Sequence, residues 1–254
     1  MRFNRICHKN WRILTVLCLF GLILGYGFSA NAQDVSIDFG DDAGLTERAV
    51  QLIALLTVLS LAPSILIMVT SFTRIVVVLS LLRTAIGLQT APPNIVMISL
   101  ALFLTGFIMA PTMEQAYTAG VEPLLEGTLE FNEAFEQAAI PFHEFMRNNV
   151  REKDLGLFLE LSGQETPENP EDVSLRVLIP AFMISELRRA FEIGFLLYLP
   201  FLIIDLVIAS VLMSMGMMML PPVVISLPFK LIFFVLVDGW NLVAGSLVRS
   251  FVGS

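Results

Sequence analysis

Four long apolar stretches set the hydrophobic pattern of the chain, and they run over residues 49–73, 94–110, 184–213 and 223–248. A helix that crosses a bilayer needs about 20 mostly apolar residues. No alternating apolar–polar pattern, which would indicate half-buried strands, competes with this interpretation. The sequence therefore predicts an all-α integral membrane protein of about four long, kinked hydrophobic helices arranged as helical hairpins.

Proline and glycine predict where these helices bend or end. Pro63 lies inside the first stretch and removes one backbone hydrogen bond, which predicts a kink. Residues 74–88 follow as a further helical segment, and Gly87 predicts its end. Pro111 is expected to close the helix of the second stretch. These residues divide the first half of the chain into separate helices.

Residues 112–178 differ from the apolar stretches because acidic residues dominate them. Fourteen acidic residues and four basic residues leave ten excess negative charges. A polar, proline-containing loop is expected over residues 163–172. Phenylalanines nevertheless recur with helix-like spacing, at Phe131, Phe135, Phe142, Phe145 and Phe158. The pattern predicts an amphipathic helical region with one side facing water.

The first 32 residues have the features of a secretory signal peptide. Four basic residues precede an apolar run over residues 13–24, and the small side chains of Ala30 and Ala32 suit a signal peptidase. An uncleaved first membrane helix is the alternative, but the apolar run is short for a span. We expect cleavage after Ala32, a flexible lead-in over residues 33–45, and a mature N-terminus outside the cytoplasm.

Positive charge predicts the orientation, because arginine and lysine are retained on the cytoplasmic side. Arg74 and Arg83 mark the link between the first two stretches as cytoplasmic, which places residues 112–178 outside. Arg188 and Arg189 disagree, since they would lie near the outer end of the third stretch. The mature chain then has N-terminal hydrophobic helices over residues 46–111, the acidic region over 112–178, and a C-terminal hydrophobic hairpin with a methionine-rich loop over 179–254.

The composition argues against several classes of function. The 254 residues carry a formal net charge of −8, whereas nucleic-acid binding needs clustered lysine and arginine. Cys7 and Cys18 both lie in the predicted signal peptide, so the mature chain has no thiol for a disulfide or a metal site. His143 is the one histidine beyond that peptide, and no catalytic, nucleotide-binding or metal-binding motif is present. We therefore expect no enzyme activity, cofactor or metal ion.

Four charged residues within or beside the apolar stretches are candidates for function, namely Arg188, Arg189, Asp205 and Asp238. An ionisable residue inside a membrane span is a functional candidate, so ion or proton coupling is one hypothesis for the aspartates. A hydrogen bond or ion pair that fixes helix packing is the other, and it is favoured because neither aspartate has a second acid at helical spacing. The arginines lie at helical spacing from Glu186 and Glu192, so local pairing is expected.

Methionines are concentrated between the third and fourth stretches, where they are five of the ten residues 213–222. Methionine is unbranched and polarisable, and it packs against variable shapes. In a monomer such a cluster fills a core, whereas in a ring of identical subunits it forms a deformable apolar collar. Gly216 and Pro221 prevent a continuous helix, so the cluster is expected to form a loop.

Residues 180–191, Pro-Ala-Phe-Met-Ile-Ser-Glu-Leu-Arg-Arg-Ala-Phe, resemble the signature of the FliP family of flagellar biosynthesis proteins. This family also includes a subunit of virulence type III secretion systems. Residues 71–89, 103–111 and 215–222 are similar to the same family, so the resemblance covers nearly all of the mature chain. The signal peptide and the long acidic region are more similar to the flagellar branch.

The resemblance implies a core subunit of the flagellar type III protein export gate. Family members form a homo-oligomeric ring of five in the bacterial inner membrane, within the flagellar basal body. With FliQ and a single FliR, the ring makes the pore for unfolded flagellar proteins, and FlhB and FlhA are further partners. The alternatives are an export-gate subunit of a virulence system and an ion or small-solute transporter; the transporter predicts internal repeats, which this sequence lacks.

The resemblance also implies roles for particular residues. A pore gasket in the family matches Met217, Met218 and Met219. Glu186 matches a family position at the contact between subunits, and Phe145 and Phe158 are similar to aromatic contact positions. In the family the helices form hairpins in a conical assembly largely above the bilayer plane, so hydropathy overstates how much lipid they contact.

Overall fold

The computed structural model describes residues 45–163, 172–217 and 219–252. The predicted signal peptide, the lead-in before Leu45, most of the predicted loop and Met218 lie outside these ranges. Within them every regular element is helical, which confirms the all-α class. The elements are α1 (Leu45–Met68), α2 (Phe72–Ile86), α3 (Asn94–Ala116), a π-helical turn (Tyr117–Val121), α4 (Glu122–Leu125), α5 (Phe131–Asn149), α6 (Glu152–Ser162), α7 (Leu175–Ser214), α8 (Pro222–Leu236) and α9 (Gly239–Val252).

The chain divides into two compact units, residues 1–54 and 55–254. The described part of the first unit, residues 45–54, forms the beginning of α1, and Val50 and Ile53 are exposed there. The second unit contains the rest of α1, including Pro63, and every other described helix. All contacts given below belong to this second unit.

α2 lies at the centre of the hydrophobic core. Ile75, Val78 and Leu82 are almost completely buried. The helix ends at Gly87, whose φ of 90° lies in the left-handed region that favours glycine. The end that the sequence predicts for this helix is therefore confirmed.

α2 and α7 lie side by side and run in the same direction. Arg74 contacts Glu186 near the beginning of α2, and Leu81 lies against Gly194 further along both helices. A side chain at Gly194 would collide with Leu81. Small residues at such contacts allow helix backbones to approach closely.

α3 does not end at Pro111, which corrects the sequence prediction. The helix continues through Pro111, becomes π-helical over Tyr117–Val121 and joins α4, so one helical segment spans Asn94–Leu125. Proline has no backbone N–H, so it removes one hydrogen bond from the helix. A helix that packs against neighbouring helices tolerates the loss of one such bond. Gly120 lies in the π-helical turn, where a side chain would meet the backbone of Ala134 in α5.

α5 and α6 account for the amphipathic pattern of the acidic region. Their apolar sides pack on the first part of α7 in a second hydrophobic cluster that contains Met146, Leu159, Val177, Leu178 and Phe182. The hydroxyl of Ser185 in α7 donates a 2.7 Å hydrogen bond to Asp154 in α6. This region therefore has its own apolar core and a polar contact that ties it to α7.

The fourth apolar stretch, predicted as one kinked helix over residues 223–248, forms two helices. α8 and α9 meet at a bend of 62°. Asp238 has a φ of 51° at this point, a conformation that interrupts a right-handed helix. Gly239 packs on the ring of Phe234, and the Trp240 ring lies edge-on to it with centroids 5.3 Å apart. The bend is therefore accompanied by packing of the Phe234 ring against Gly239.

Two described helices are long and apolar enough to cross a membrane, the segment Asn94–Leu125 and the 40-residue α7. The bent pair of α8 and α9 adds a third if it crosses as one span. The apolar part of α1 covers Leu52–Ile65 and is shorter than these. The described part of the chain thus contains two or three candidate spans, not the four that hydropathy predicts.

Candidate functional site

A turn rich in methionine joins α7 to α8. Gly216 has a φ of 74° just after α7 ends, and α8 begins at Pro222, so no continuous helix forms. The amide of Met217 donates a 3.0 Å hydrogen bond to the carbonyl oxygen of Leu212, which closes the end of α7. We call residues 213–220 the methionine turn.

The four described methionines of the methionine turn are exposed in the single chain. The exposed fraction is 57% for Met213, 65% for Met215, 41% for Met217 and 97% for Met219. Met218 lies outside the described residues. A group of exposed apolar side chains indicates a surface that is covered in an assembly or lines a cavity. Two of the three predicted gasket residues therefore lie on one exposed turn.

An ion pair joins α7 to α8 within the apolar helices. Lys230 Nζ is 2.6 Å from Asp205 Oδ2, and the Ser226 hydroxyl donates a 2.6 Å hydrogen bond to Asp205 Oδ1. Lys230 also donates to the carbonyl oxygen of Ala85 in α2 at 3.3 Å. The exposed side-chain fraction is 4% for Lys230 and 23% for Asp205. These contacts fit the hypothesis that Asp205 fixes helix packing, because they connect three helices.

A second ion pair, between α2 and α7, is completely buried. Arg74 Nε donates to Glu186 Oε2 at 2.8 Å, and Arg74 Nη2 donates to Glu186 Oε1, which makes the pair bidentate. Arg74 Nη1 donates to the hydroxyl and carbonyl oxygens of Ser250 at 2.9 and 3.2 Å. The guanidinium carbon lies 3.6 Å from the centroid of the Phe251 ring. Arginine suits this position because its forked donors serve several acceptors at once.

The contact between Arg74 and Glu186 corrects part of the predicted orientation. The sequence interpretation places Arg74 in a cytoplasmic link, but it places Glu186, next to Arg188, near the outer end of the third stretch. Residues in direct contact lie at one level, so the two placements are incompatible. The orientation rule counts charges in loops, and a buried, paired arginine is not a loop charge. Arg74 therefore carries no information about orientation.

The remaining predicted charges lie at or near the protein surface. Arg188 and Glu192 form the expected local ion pair, with 3.0 Å between Nε and Oε1, and both are exposed. Arg189 is half-buried on the same helix, and Asp238 is exposed at the bend between α8 and α9. Among the predicted intramembrane charges, Asp205 is thus the one held in an interior ion pair.

The three predicted subunit-contact residues all make contacts inside this chain. The Phe145 ring stacks on Phe251 with centroids 5.9 Å apart and meets the Phe182 ring edge-on at 6.0 Å. Phe158 packs against the second hydrophobic cluster. Glu186 is completely buried against α2. The side chains of Phe145 and Phe158 are half-buried and keep some exposed surface.

Sequence reasoning missed Lys230 and Ser250 as partners of the buried charges. A signal for Lys230 exists, because Asp205 and Lys230 are the only charged residues between Glu192 and Asp238. An unpaired charge in an apolar stretch is costly, so this lone cation and lone anion are expected to meet. Ser250 carries no comparable signal, since 176 positions separate it from the arginine that it binds.

The described residues contain no group of three histidine, cysteine, aspartate or glutamate side chains that could hold a metal ion. His143 lies in α5, and its Nε2 is 2.8 Å from the carbonyl oxygen of Val173, just before α7. This contact connects α5 to the segment that leads into α7. The contact of His143 is therefore structural.

Comparison with known proteins identifies the family. The model of the FliP family matches residues 55–247, which is most of the chain. The chain belongs to the FliP family. The flagellar biosynthetic protein FliP of Caulobacter vibrioides is 63% identical over 239 residues, which cover 94% of this chain and 90% of that relative. The FliP of Bacillus subtilis is 52% identical over 217 residues, which cover 85% of this chain and 98% of that relative. The FliP of Rhizobium meliloti is 49% identical over 242 residues, which cover 94% of this chain and 97% of that relative.

Membership of the FliP family confirms the resemblance carried by residues 180–191. It identifies a flagellar biosynthesis protein, consistent with flagellar export, and not an enzyme. Together with the long apolar helices, it identifies a membrane protein. The methionine turn and the two ion pairs are thus features of a FliP protein.

Proposed function

We propose that this FliP chain is a core subunit of the flagellar type III protein export gate. With sister subunits it forms the membrane pore through which unfolded flagellar proteins are secreted during flagellum assembly. The observation that carries the proposal is the methionine turn, which is exposed between two long apolar helices. Membership of the FliP family supplies the flagellar context.

The chemistry of methionine suits a seal in such a pore. A pore for unfolded chains passes side chains of many shapes and blocks ions when it is idle. Flexible thioether side chains yield to a passing chain and close behind it without breaking hydrogen bonds, and an apolar constriction excludes ions by dewetting. Met217 and Met219 are exposed in the single chain, so a ring of copies can gather them around an axis. We assign the seal to these residues together with Met218.

The proposal includes partners and a location. The chain forms a ring, of five copies as the family implies, with FliQ and FliR, and the ring works with FlhB and FlhA. The complex lies in the bacterial inner membrane within the flagellar basal body and contacts lipid and the exported proteins. The low number of basic residues in residues 112–178, four Lys and Arg in all, supports a periplasmic position for this region, because retained positive charge marks the cytoplasmic side.

A virulence export gate and a small-solute transporter are the weaker candidates. The three relatives described above are all named flagellar proteins, which favours the flagellar gate. Ion coupling needs an acid that exchanges its ion, whereas Asp205 is held by Lys230 and Ser226. The contacts of Asp205 therefore favour a structural role over transport chemistry.

The seal predicts an ion leak when the methionine side chains are shortened. Replacing Met217, Met218 and Met219 together by Ala widens the collar, so the ion conductance of the assembled gate should rise several-fold. Conductance is measured on purified gates in planar bilayers, and assembly is measured by native electrophoresis. Met113→Ala is the control, because Met113 is 45% exposed, close to the 41% of Met217, but lies on α3.

The conductance and assembly of these variants together test whether the methionine turn forms the seal. An assembled triple variant with unchanged conductance would contradict the seal. A comparable leak in Met113→Ala would also contradict it, because the leak would then arise from any exposed methionine. A leak confined to the triple variant, with the amount of assembled complex unchanged, is the expected outcome.

A further inference from the structure

The end of α9 is bound to a completely buried arginine. Arg74 Nη1 donates hydrogen bonds to the hydroxyl and carbonyl oxygens of Ser250, at 2.9 and 3.2 Å. The Ser250 hydroxyl donates its own proton to the carbonyl oxygen of Leu247 at 2.7 Å, which leaves its lone pairs for the guanidinium. Ser250 therefore completes the set of acceptors around a cation that Glu186 satisfies only in part.

Phe251 covers the same guanidinium and extends the contact to α5. The centroid of its ring is 3.6 Å from Arg74 Cζ, in cation–π geometry. The ring also stacks on Phe145, with an interplanar angle of 18°. Phe145 in turn meets Phe182 of α7 edge-on. One side chain near the end of the chain thus connects the buried ion pair to an aromatic cluster.

We call Ser250 and Phe251 the C-terminal latch, because they join α9 directly to α2 and α5, and through Arg74 and Phe145 to α7. α9 follows the 62° bend, and its other buried hydrophobic residues are Val243 and Leu247. The match to the FliP family model ends at residue 247, before the latch. Since α9 has few other buried side chains, the latch contributes much of what holds its end in place.

We propose that the C-terminal latch positions α9, and that Glu186 and Phe145 influence assembly through this latch inside the chain. The carboxylate of Glu186 is completely buried, so a neighbouring subunit has no access to it. Loss of Glu186 leaves Arg74 as an unpaired interior charge and loosens its hold on the latch. Loss of Phe145 removes the ring on which the latch stacks. Both changes therefore release the same helix.

The C-terminal latch is a property of the single chain and does not depend on the proposed export function. Variants of Glu186 and Phe145 are expected to assemble poorly because α9 is displaced before subunits meet. A direct contact across a subunit interface would instead leave the isolated chain unchanged. The state of α9 in the monomer therefore distinguishes the two explanations, and its measurement is independent of the ion leak.

The test is hydrogen exchange of the α9 amides in the monomer fraction of the full chain, purified in detergent. In Glu186→Gln and Phe145→Ala, exchange in α9 should become at least about tenfold faster, because a broken buried contact raises the open population. Glu192→Gln is the matched control, since Glu192 also lies on α7 but is 59% exposed and pairs with Arg188. Its exchange should equal that of the unaltered chain. Unchanged exchange in both test variants would overturn the proposal.

Cross-linking tests the latch in the assembled complex and leaves the latch residues unaltered. Asn148→Cys in α5 and Arg249→Cys in α9, both exposed and neither part of the latch, are introduced with Cys7 and Cys18 replaced by Ser, and a short bis-maleimide is added. A chain carrying both cysteines should give an intrachain product. Two differently tagged chains that carry one cysteine each should give no mixed dimer. Mixed dimers without the intrachain product would overturn the proposal, because they place the end of α9 against α5 of a different subunit.

Discussion

At the scale of single residues, charges inside the apolar helices are paired within the chain. Asp205 pairs with Lys230, and Arg74 pairs with Glu186. Removing one member of a buried pair leaves the other charge without a partner, which costs more than replacing both by residues without charge. The two kinds of substitution are therefore expected to differ, and this difference can be measured.

Lys230→Met should lower the free energy of unfolding of the detergent-purified chain by up to about 3 kcal/mol, because Asp205 would lose its cation. This value is at the low end for buried pairs, since Asp205 is 23% exposed and water screens its charge. Combining Lys230→Met with Asp205→Asn should cost less than the sum of the two single changes. Denaturant titration of the single and double variants gives these values.

The exposed pair of Arg188 and Glu192 is the control for this double-mutant cycle. Glu192→Gln removes a surface partner and should change the free energy of unfolding by less than about 1 kcal/mol. Additive losses at Asp205 and Lys230 would show that the two side chains are not coupled. Loss of secretion in Asp205→Asn at unaltered stability would instead support ion coupling.

At the scale of helices, the close contact between α2 and α7 depends on Gly194, which has no side chain. A methyl group added to Gly194 would lie 3.2 Å from Cβ and 3.3 Å from Cγ of Leu81, and closer still to its Cδ1. Rotation of the Leu81 side chain can move Cδ1 away, but it does not move Cβ, so the tight 3.2 Å contact requires the two helices to shift slightly apart. Gly106 in α3 has open space instead. The two glycines therefore form a matched pair of test positions.

Gly194→Ala should lower the free energy of unfolding by about 1–3 kcal/mol, because it overfills the contact between α2 and α7. Gly106→Ala should leave stability unchanged or raise it by up to about 1 kcal/mol, because alanine is the better helix former. Adding Leu81→Ala to Gly194→Ala should recover part of the loss. Equal unfolding free energies for the two glycine variants would contradict the close approach of the helices.

Helix ends that depend on local backbone chemistry were predictable from the sequence. Gly87 and the methionine turn end helices because glycine and proline act within a few residues. Pro111 gave a wrong prediction, because one missing hydrogen bond does not end a packed helix. The bend at Asp238 was missed although Asp238 and Gly239 form an Asp-Gly pair typical of turns, because the apolar run around them favoured one helix.

The candidate site was predictable where a residue is unusual in its own segment. The methionine turn is a dense cluster, and Asp205 is a lone acid in an apolar stretch. Their partners depend on tertiary contacts: Lys230 lies 25 positions from Asp205, and Ser250 lies 176 positions from Arg74. Charge balance within the apolar stretches indicates Lys230 as the partner of Asp205, but no sequence pattern indicates Ser250 as the partner of Arg74.

At the scale of the whole molecule, the single chain leaves large apolar side chains exposed. On α5, Phe131 is 70% exposed and Phe135 is 68% exposed. This helix belongs to the acidic region, which we place outside the bilayer, so lipid does not cover these rings. A soluble surface rarely keeps such apolar groups open to water unless a partner binds them. The α5 surface therefore predicts contact with another protein subunit.

The copy number of the extracted complex tests this surface together with the proposed ring. Expressed with its FliQ and FliR counterparts and extracted in mild detergent, the chain should be recovered in several copies, as native mass spectrometry can count. Phe131→Ser with Phe135→Ser should reduce the assembled fraction because the interface loses apolar area, while the monomer keeps its stability because both rings are exposed there. Recovery of the unaltered protein as a single chain would contradict the ring, and with it the collar that the methionine turn is proposed to form.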